Sequence, residues 1–298
     1  MKLTITGING FVGQNLSKFL ENKGFEVSGL SLRSQWSFPN EAEAIIHLAG
    51  KAHDTSNTSE ESEYFKVNRD LTIQLFDAFL QSNARDFFFF SSVKATADSV
   101  DEILDENHQS NPKTAYGKSK NEAEQYLLNK TLPEGKRLFV IRPCMIHGPG
   151  NKGNLNLLYK VVEKRIPWPL AAFHNERSFL GIDNLSFLVA KMLINPNISS
   201  GIYNFADDRS ISSNELITII NSVLEKKPKL WKISKSLIEK VASVGDKAKL
   251  PLNSERLKKL TESYVVSNQK IKNALQIEKL PESVEEGLRK TIVSFKNK

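Results

Sequence analysis

KLTITGINGFVG, residues 2 to 13, decides the architecture. Lys2 to Thr6 form a short strand-like run that stops at a glycine, and an amphipathic pattern begins at Phe11. Gly7, Gly10 and Gly13 lie between the two. In such a loop the first glycine permits a tight turn, the second lets the backbone approach a pyrophosphate, and the third lets the helix pack closely on the strand. The helix that follows offers unpaired N–H groups to an anion. A G-x-x-G-x-x-G pattern between a first strand and a first helix is read here as a dinucleotide-binding loop.

The same strand-helix alternation continues outward from that loop. Phe25 to Leu30 and Ala44 to Ala49 read as strands, and Tyr64 to Ser82 carries a helical apolar face at Phe65, Leu71, Leu75, Phe76 and Phe79. Phe87 to Phe90 are four consecutive phenylalanines closed by Ser91 and Ser92, the pattern of a strand buried on both faces that emerges at a sheet edge. Tyr116 to Asn129 is a helix and Arg137 to Arg142 a strand. This order predicts an α/β fold, a doubly wound parallel sheet with helices on both faces. After residue 150 prolines, glycines and lysine-rich amphipathic stretches take over. Residues 1–150 are therefore expected to form the dinucleotide-binding domain, and 151–298 mainly a smaller, mostly helical substrate lobe with some segments returning to the sheet. Within it, Tyr203 to Ile220 predicts a strand, a turn and a helix capped by Ser212 or Ser213.

Composition narrows the function classes. The chain has 298 residues, 40% of them hydrophobic, enough for a full core. A net charge of +7 suits anionic partners, whether phosphorylated small molecules, nucleic acid or anionic lipid. Cys144 is the only cysteine, which excludes an intrachain disulfide and points to a reducing compartment. No signal-like N-terminus and no apolar run near membrane-spanning length is visible, so a cytoplasmic location is expected. The five histidines are scattered without metal-ligand spacing, so no metal is expected. Ser92 lacks the G-x-S-x-G context of a serine hydrolase, and no nucleic-acid-binding signature is present. The basic stretch LWKISKSLIEKVASV, residues 230–244, suits either a substrate cap or an anionic membrane surface, and the cap is the preferred reading.

Three further positions carry chemistry. At the end of the second strand an acid would bind the ribose hydroxyls of NAD, whereas an arginine would accept the 2′-phosphate of NADP. Here Ser31 and Arg33 occupy that place, with no Asp or Glu, which favours NADP(H) over NAD. Tyr116 and Lys120 lie one helical turn apart, where the lysine can lower the phenol pKa and make the tyrosine a usable acid or base. Ser92, at the end of the phenylalanine strand, would hydrogen-bond a substrate oxygen.

Together, the glycine loop, HLAG (47–50), YFKVN (64–68), SSVKA (91–95), YGKSK (116–120), IRPCMIHGPGNKGN (141–154) and ERSFLGIDNL (176–185) resemble the extended short-chain dehydrogenase/reductase superfamily, the nucleotide-sugar epimerase/dehydratase group with its Rossmann-type fold. The resemblance implies Ser92, Tyr116 and Lys120 as the catalytic set. It implies Gly7, Asn9, Gly10, Phe11, Val12, Gly13, Leu48, Ala49, Gly50, Lys51, Tyr116, Lys120 and Pro143 as cofactor-binding positions, beside Ser31 and Arg33, with Lys120 holding the cofactor ribose. Asn154 and Arg177 match positions that bind the nucleotide diphosphate in relatives, and Asn68 matches a family asparagine. A UDP-sugar substrate and a homodimer are also what the resemblance implies.

Departures from the family pattern matter as much. The region between the second strand and AIIHLAG is short, so the usual third strand is missing or reduced to SQWSF (34–38). Family dehydratases carry Asp-Glu after the catalytic Ser/Thr, and Val93 and Lys94 stand there instead, which argues against 4,6-dehydration. His147 replaces the usual tyrosine; it and His53 are weighed as substrate contacts against ordinary loop hydrogen-bonders. The expectation is an NADP(H)-dependent 4-ketoreductase of a UDP-sugar in surface polysaccharide synthesis, with a 4-epimerase that retains NAD as the alternative. A non-catalytic dinucleotide-sensing or RNA-associated protein is the reading from another class.

Overall fold

Phe87 to Phe90 lie at the centre of a parallel sheet, and both faces of that strand are covered. The computed structural model describes residues 1–51, 60–151, 153–248 and 253–296. Its strands are β1 (Lys2–Thr6), β2 (Glu26–Leu30), β3 (Ala44–His47), β4 (Asp86–Phe90), β5 (Arg137–Pro143), β6 (Met145–His147), β7 (Phe179–Gly181) and β8 (Gly201–Phe205). Six of them form one sheet in the order β2-β1-β3-β4-β5-β8 with every pair parallel, while β6 and β7 pair separately. The helices are α1 (Phe11–Asn22), α2 (Glu61–Phe65), α3 (Leu71–Leu80), α4 (Ala115–Leu128), α5 (Asn154–Glu163), α6 (Ile182–Ile194), α7 (Ser213–Val223), α8 (Lys235–Ala248), α9 (Ser254–Thr261), α10 (Gln269–Leu275) and α11 (Val284–Lys296).

Alternate side chains of β4 serve two cores. Phe87 and Phe89 pack with Leu75, Phe76 and Phe79 of α3 and with Ala123 and Leu127 of α4. Phe88 and Phe90 pack on the other face with Leu16 and Leu20 of α1 and with Leu185, Leu188 and Val189 of α6. Each such fully buried phenylalanine contributes about 1.5–3 kcal/mol of transfer free energy. A third core, between α5, α7, α8 and α11, holds the later segments together through Tyr159, Ile217, Ile238 and Ile292. Of the two predicted caps for α7, Ser212 serves, accepting from the Glu215 N–H at 3.0 Å.

From β1 the chain first builds β2 on one side and then crosses to β3 on the other, which opens a crevice at the carboxyl ends of β1 and β3. No third strand follows β2, so β2 is the sheet edge; Trp36 and Phe38 of SQWSF instead lie partly buried against the core beside Leu32 and Ala42. The helix predicted from Tyr64 starts earlier, at Glu61, and passes through a π-helical turn, Lys66–Asp70, before α3. Its first residues are polar and exposed, which gave the apolar pattern nothing to register. Among the described residues no helix is long and apolar enough to cross a membrane, and no cluster of three His, Cys, Asp or Glu residues is placed to hold a metal.

At the crevice the last residue of β3, His47, is fully buried and joins four segments. The Ala49 N–H donates to Thr6 Oγ1 at 3.1 Å, and Thr6 Oγ1 lies 2.6 Å from His47 Nδ1. On the other side His47 Nε2 lies 2.9 Å from Thr72 Oγ1, whose hydroxyl donates to the Asn68 carbonyl at 2.8 Å. Because the Thr72 hydrogen is spent on Asn68, His47 must donate from Nε2 and accept at Nδ1 from Thr6. That is the neutral tautomer. Burial, reinforced by the Lys120 charge, pushes its pKa down to about 3.

The unfolded chain therefore binds this proton at a higher pH than the native protein does. Stability is unaffected by this group above about pH 6.5, the ordinary histidine value, and is lost as the pH falls from there toward 3, at about 1.4 kcal/mol per pH unit. His47→Gln, which does not titrate, should show a shallower loss of urea-unfolding free energy between pH 6 and pH 4 by about that slope. Equal slopes in the two proteins would show that His47 titrates as freely in the native state as in the unfolded one.

Candidate active site

The glycine loop leaves no room for side chains. Gly7 has φ +70°, and a Cβ there would stand 2.8 Å from the Ala49 nitrogen. A Cβ on Gly13 would press on the Gly7 carbonyl oxygen and stand 2.6 Å from Ile8 Cα. Gly10 caps α1 with no side-chain hydrogen bond, and the first turn carries no acid, so the N–H groups of this twelve-residue helix face the crevice without a protein acceptor from the cap. Asn9 and Gly10 are exposed, and Phe11 and Val12 are half-buried against the core. Phe11 also reaches the following loop, since its ring would meet a Cβ on Gly148 at 3.3 Å.

Opposite lies the segment after β3. Leu48, Ala49 and Gly50 leave the sheet there, and Lys51 is clamped by Asn68, whose Oδ1 accepts from the Lys51 N–H at 2.7 Å and whose Nδ2 donates to the Lys51 carbonyl at 3.1 Å. The same Nδ2 lies 3.1 Å from Ser119 Oγ on α4. Asn68 thus ties the π-helical turn, the loop after β3 and helix α4 together. A cradle that excludes Cβ atoms, an open helix N-terminus and a loop fixed across from it fit a dinucleotide pyrophosphate.

Ser92, Tyr116 and Lys120 are brought together by a close approach of backbone to helix. A Cβ on Gly117 would collide with the Lys94 carbonyl oxygen and stand 2.8 Å from Pro112 Cβ, so only glycine lets the first turn of α4 sit on the turn after β4. Thr114 caps α4, accepting from the Gly117 N–H at 3.2 Å, and is itself held by Asp98. Ser92 is buried, and its Oγ accepts from the Lys94 N–H at 3.2 Å, which leaves its hydrogen for the Tyr116 hydroxyl with which it is hydrogen-bonded. The Tyr64 ring packs edge-on against the Tyr116 ring at 6.3 Å between centroids.

The electrostatics differ from the sequence expectation at Tyr116. Its pKa stands above the ordinary phenol value: burial raises it most, the Ser92 hydrogen bond pulls it back, and Tyr64 and Glu124 push it up again. Lys120 is not among the groups that oppose this rise; its buried ammonium donates to the Phe90 carbonyl at 2.8 Å. Burial lowers the Lys120 pKa to about 8 against the opposing pull of Glu124. The ammonium faces the cofactor side, where a Cβ on Gly50 would lie 3.2 Å from Nζ.

A second group of charges gathers beyond Ser92. Lys94 donates to the Asp98 carbonyl at 2.6 Å and sits 4.1 Å above the Tyr264 ring; burial lowers its pKa, with Glu262 and Asp98 opposing and Arg177 and Lys259 adding to the fall. Tyr264 in turn donates to the Val93 and Ala97 carbonyls at 3.1 and 2.7 Å, fixing the turn that carries Ser92. Arg177 spends two of its N–H groups on the carbonyls at the end of α9, Glu262 at 3.2 Å and Lys259 at 2.5 Å. Lys94, Tyr264, His47 and Asn68 position this site, and only Asn68 stood out in sequence. SSVKA held the signal for Lys94, whereas nothing local marks Tyr264.

The remaining candidates fall as follows. Ser31 and Arg33 are exposed at the carboxyl end of β2, beside the glycine loop, with the Arg33 N–H donating to Ser31 Oγ at 3.4 Å. Pro143 ends β5, and Asn154 is the first residue of α5. His147 is fully buried, 2.9 Å from Thr291 Oγ1 of α11, and so supports the C-terminal lobe rather than facing substrate. His53 lies outside the described residues.

The sequence pattern of the NAD dependent epimerase/dehydratase family matches residues 3–205. The chain is 28% identical to UDP-glucose 4-epimerase of Vibrio cholerae over 75% of this chain and 76% of the relative. It is 23% identical to GDP-6-deoxy-D-mannose reductase of Pseudomonas aeruginosa over 75% of this chain and 80% of the relative. Its fold superposes on that of RMD from Pseudomonas aeruginosa complexed with NADPH, with a TM-score of 0.75, 18% identity and coverage of 100% and 99% of the two chains. With well over half its length inside the family pattern, and with the glycine cradle and the Ser92, Tyr116 and Lys120 set assembled at one crevice, this chain belongs to the NAD dependent epimerase/dehydratase family, as an enzyme of the extended short-chain dehydrogenase/reductase type that uses a nicotinamide dinucleotide.

Proposed function

We propose that the protein reduces the 4-keto group of a UDP-linked N-acetylated or 6-deoxy sugar with NADPH, for surface polysaccharide synthesis. The observation that carries the reading is the exposed Ser31 to Arg33 corner at the end of β2, cationic and without an acid, where a 2′-phosphate is welcome and bare ribose hydroxyls find no carboxylate. When bound, the dinucleotide supplies the hydride. Gly7, Asn9, Gly10, Phe11, Val12 and Gly13 would hold it on one side, Leu48 to Lys51, Lys120 and Pro143 on the other.

The chain's own residues supply the proton and the orientation. A tyrosine held above its ordinary pKa is protonated at neutral pH, the state required of a group that donates to a carbonyl oxygen as the carbon is reduced. Ser92 orients that oxygen through the same hydrogen-bond pair. Arg177, with Asn154 at the start of α5, would anchor the diphosphate, so that binding energy far from the reacting carbon holds it in place. Val93 is core and Lys94 is committed to Asp98 and Tyr264, so the acid pair of a dehydratase has no counterpart. Cys144, a buried free thiol with its pKa pushed up by burial, fits a cytoplasmic enzyme. A second reading, a 4-epimerase with retained NAD, is favoured by the similarity to the Vibrio cholerae epimerase.

Tyr116→Phe should lower kcat by about 10²- to 10⁴-fold while dinucleotide affinity in a fluorescence titration stays within a few-fold. A variant with near-normal turnover removes Tyr116 from the chemistry. The cofactor assignment is tested on purified protein, by identifying any released nucleotide and then titrating the stripped protein with NADPH and NADH. The reductase reading expects an empty site, a preference for NADPH, and at least tenfold weaker NADPH binding in Arg33→Ala with NADH little changed. Tightly retained NAD, with Arg33→Ala affecting both cofactors equally, would establish the epimerase instead.

A further inference from the structure

The segment from Lys226 through α8 carries an apolar face that the substrate-cap reading leaves unused. Ile238 and Ala242 point into the C-terminal core, but Leu237, Val241 and Val244, spaced i, i+4, i+7 on the neighbouring face, are 53%, 45% and 59% exposed. Trp231, just ahead of the helix, is 55% exposed and Leu230 is 36% exposed. A stripe of aliphatic side chains headed by a tryptophan is costly to leave in water without a function.

The charge around that stripe is one-sided. Residues 226–248 hold seven lysines against Glu239 and Asp246, so five of the chain's seven net positive charges fall in this segment. Lys227, Lys229, Lys232, Lys235 and Lys240 are exposed. A cleft of about 240 Å³ adjoins it, lined by Arg165, Lys226, Lys227 and Lys229, with Glu225 the one acid among its lining residues and the exposed Ile166 at its wall. The cleft and the tryptophan are parts of one surface, because the Trp168 N–H donates to the Lys229 carbonyl and the Trp231 N–H to the Trp168 carbonyl, both at 2.8 Å.

We propose that this face, Lys226 to Val244, docks on an anionic phospholipid bilayer, with Trp231, Leu237, Val241 and Val244 entering the headgroup boundary and the lysines and the basic cleft engaging lipid phosphates. An amphipathic helix with a lysine-rich polar side and an aromatic at its end is built to lie in that interface. A peptide or nucleic acid would use the lysines but gives no reason for the aliphatic stripe, and a second copy of the chain would bring the same positive charge against itself. The attachment also has a place in the enzyme. α8 packs on α9, and the carbonyls that end α9 hold Arg177, so the proposed diphosphate anchor lies one helix away from the bilayer.

Flotation of the full chain with vesicles tests this. In 50 mM salt the protein should float with vesicles of phosphatidylcholine and phosphatidylglycerol at 70:30, and bind at least tenfold more weakly to phosphatidylcholine alone or in 500 mM salt. K227Q/K229Q/K232Q/K240Q and, separately, L237N/V241N/V244N should each lose at least tenfold in affinity, with dinucleotide binding retained as proof of folding. Trp231→Phe should abolish most of the lipid-induced blue shift in tryptophan emission. The proposal is overturned by an absence of binding to the anionic vesicles at 50 mM salt, or by folded variants that bind as well as wild type. It is equally overturned if the L237N/V241N/V244N substitutions break a dimer in sedimentation while wild type ignores vesicles.

Discussion

A buried imidazole that must stay neutral holds the reacting edge of the sheet together. His47 accepts from Thr6 at the end of β1 and donates to Thr72 on α3, and those two hydroxyls in turn engage Ala49 and Asn68. Each threonine hydroxyl accepts one hydrogen bond and donates another, and each imidazole nitrogen has one role, so no member can be exchanged without leaving a donor or acceptor unpaired in the core, at about 1–3 kcal/mol each. The relay fixes the loop that faces the glycine cradle, and Asn68 continues it to Lys51 and α4. Lys120 adds to the constraint from the other side of Phe89, whose ring stacks on His47 at 5.9 Å and lies 4.9 Å beneath the Lys120 ammonium. A positive lysine so near makes a second positive charge at His47 still less favourable.

Helix α4, which carries Tyr116 and Lys120, is locked by a different device. One turn beyond Lys120, Glu124 is fully buried and receives Arg142 of β5 through Nε at 3.0 Å and Nη2 at 2.5 Å. Such a pair recovers its desolvation cost only with good geometry, and removing one partner alone leaves a buried charge. Its consequence here is positional. It sets the rotation of α4 against β5, and so where Tyr116 and Lys120 point, while Gly117 sets how near the helix comes to Ser92. The same carboxylate opposes the fall in the Lys120 pKa that burial causes.

These two devices explain what the sequence could and could not disclose. The glycine loop and the phenylalanine strand are local patterns whose meaning depends on a turn, a helix start and a doubly buried strand, and the sheet was legible from them. That the stretch after β2 is too short for a full strand was legible too, although its length left open whether SQWSF would still form a reduced one. His47 was read only as part of a strand, since a histidine is a relay only when two hydroxyls from distant segments meet it. Lys94 and Tyr264 are 170 residues apart and meet only after the C-terminal segments fold back. The Tyr116 pKa lies opposite to the sequence expectation because helical spacing places the lysine one turn away but says nothing of burial, which raises the phenol pKa most.

The two halves of the crevice are therefore built on different principles. The cofactor side is set by the sheet, by glycines that admit no Cβ and by a relay that admits no other protonation state. Beyond Ser92 the structure is assembled from backbone bridges between loops: Arg177 and Ile211 exchange two hydrogen bonds at 2.9 Å, the Ser178 N–H donates to the Tyr264 carbonyl at 3.0 Å, and the Tyr264 N–H donates to the Glu176 carbonyl at 2.8 Å. Bridges of that kind tolerate insertion and replacement far better than a strand in a six-stranded sheet does. A chain that keeps the first half and varies the second would hold Ser92, Tyr116 and Lys120 in the same arrangement beside different loops. Under the proposed function the proton chemistry is the same for reduction and for epimerisation, so the set proposed at Ser92, Tyr116 and Lys120 does not distinguish them.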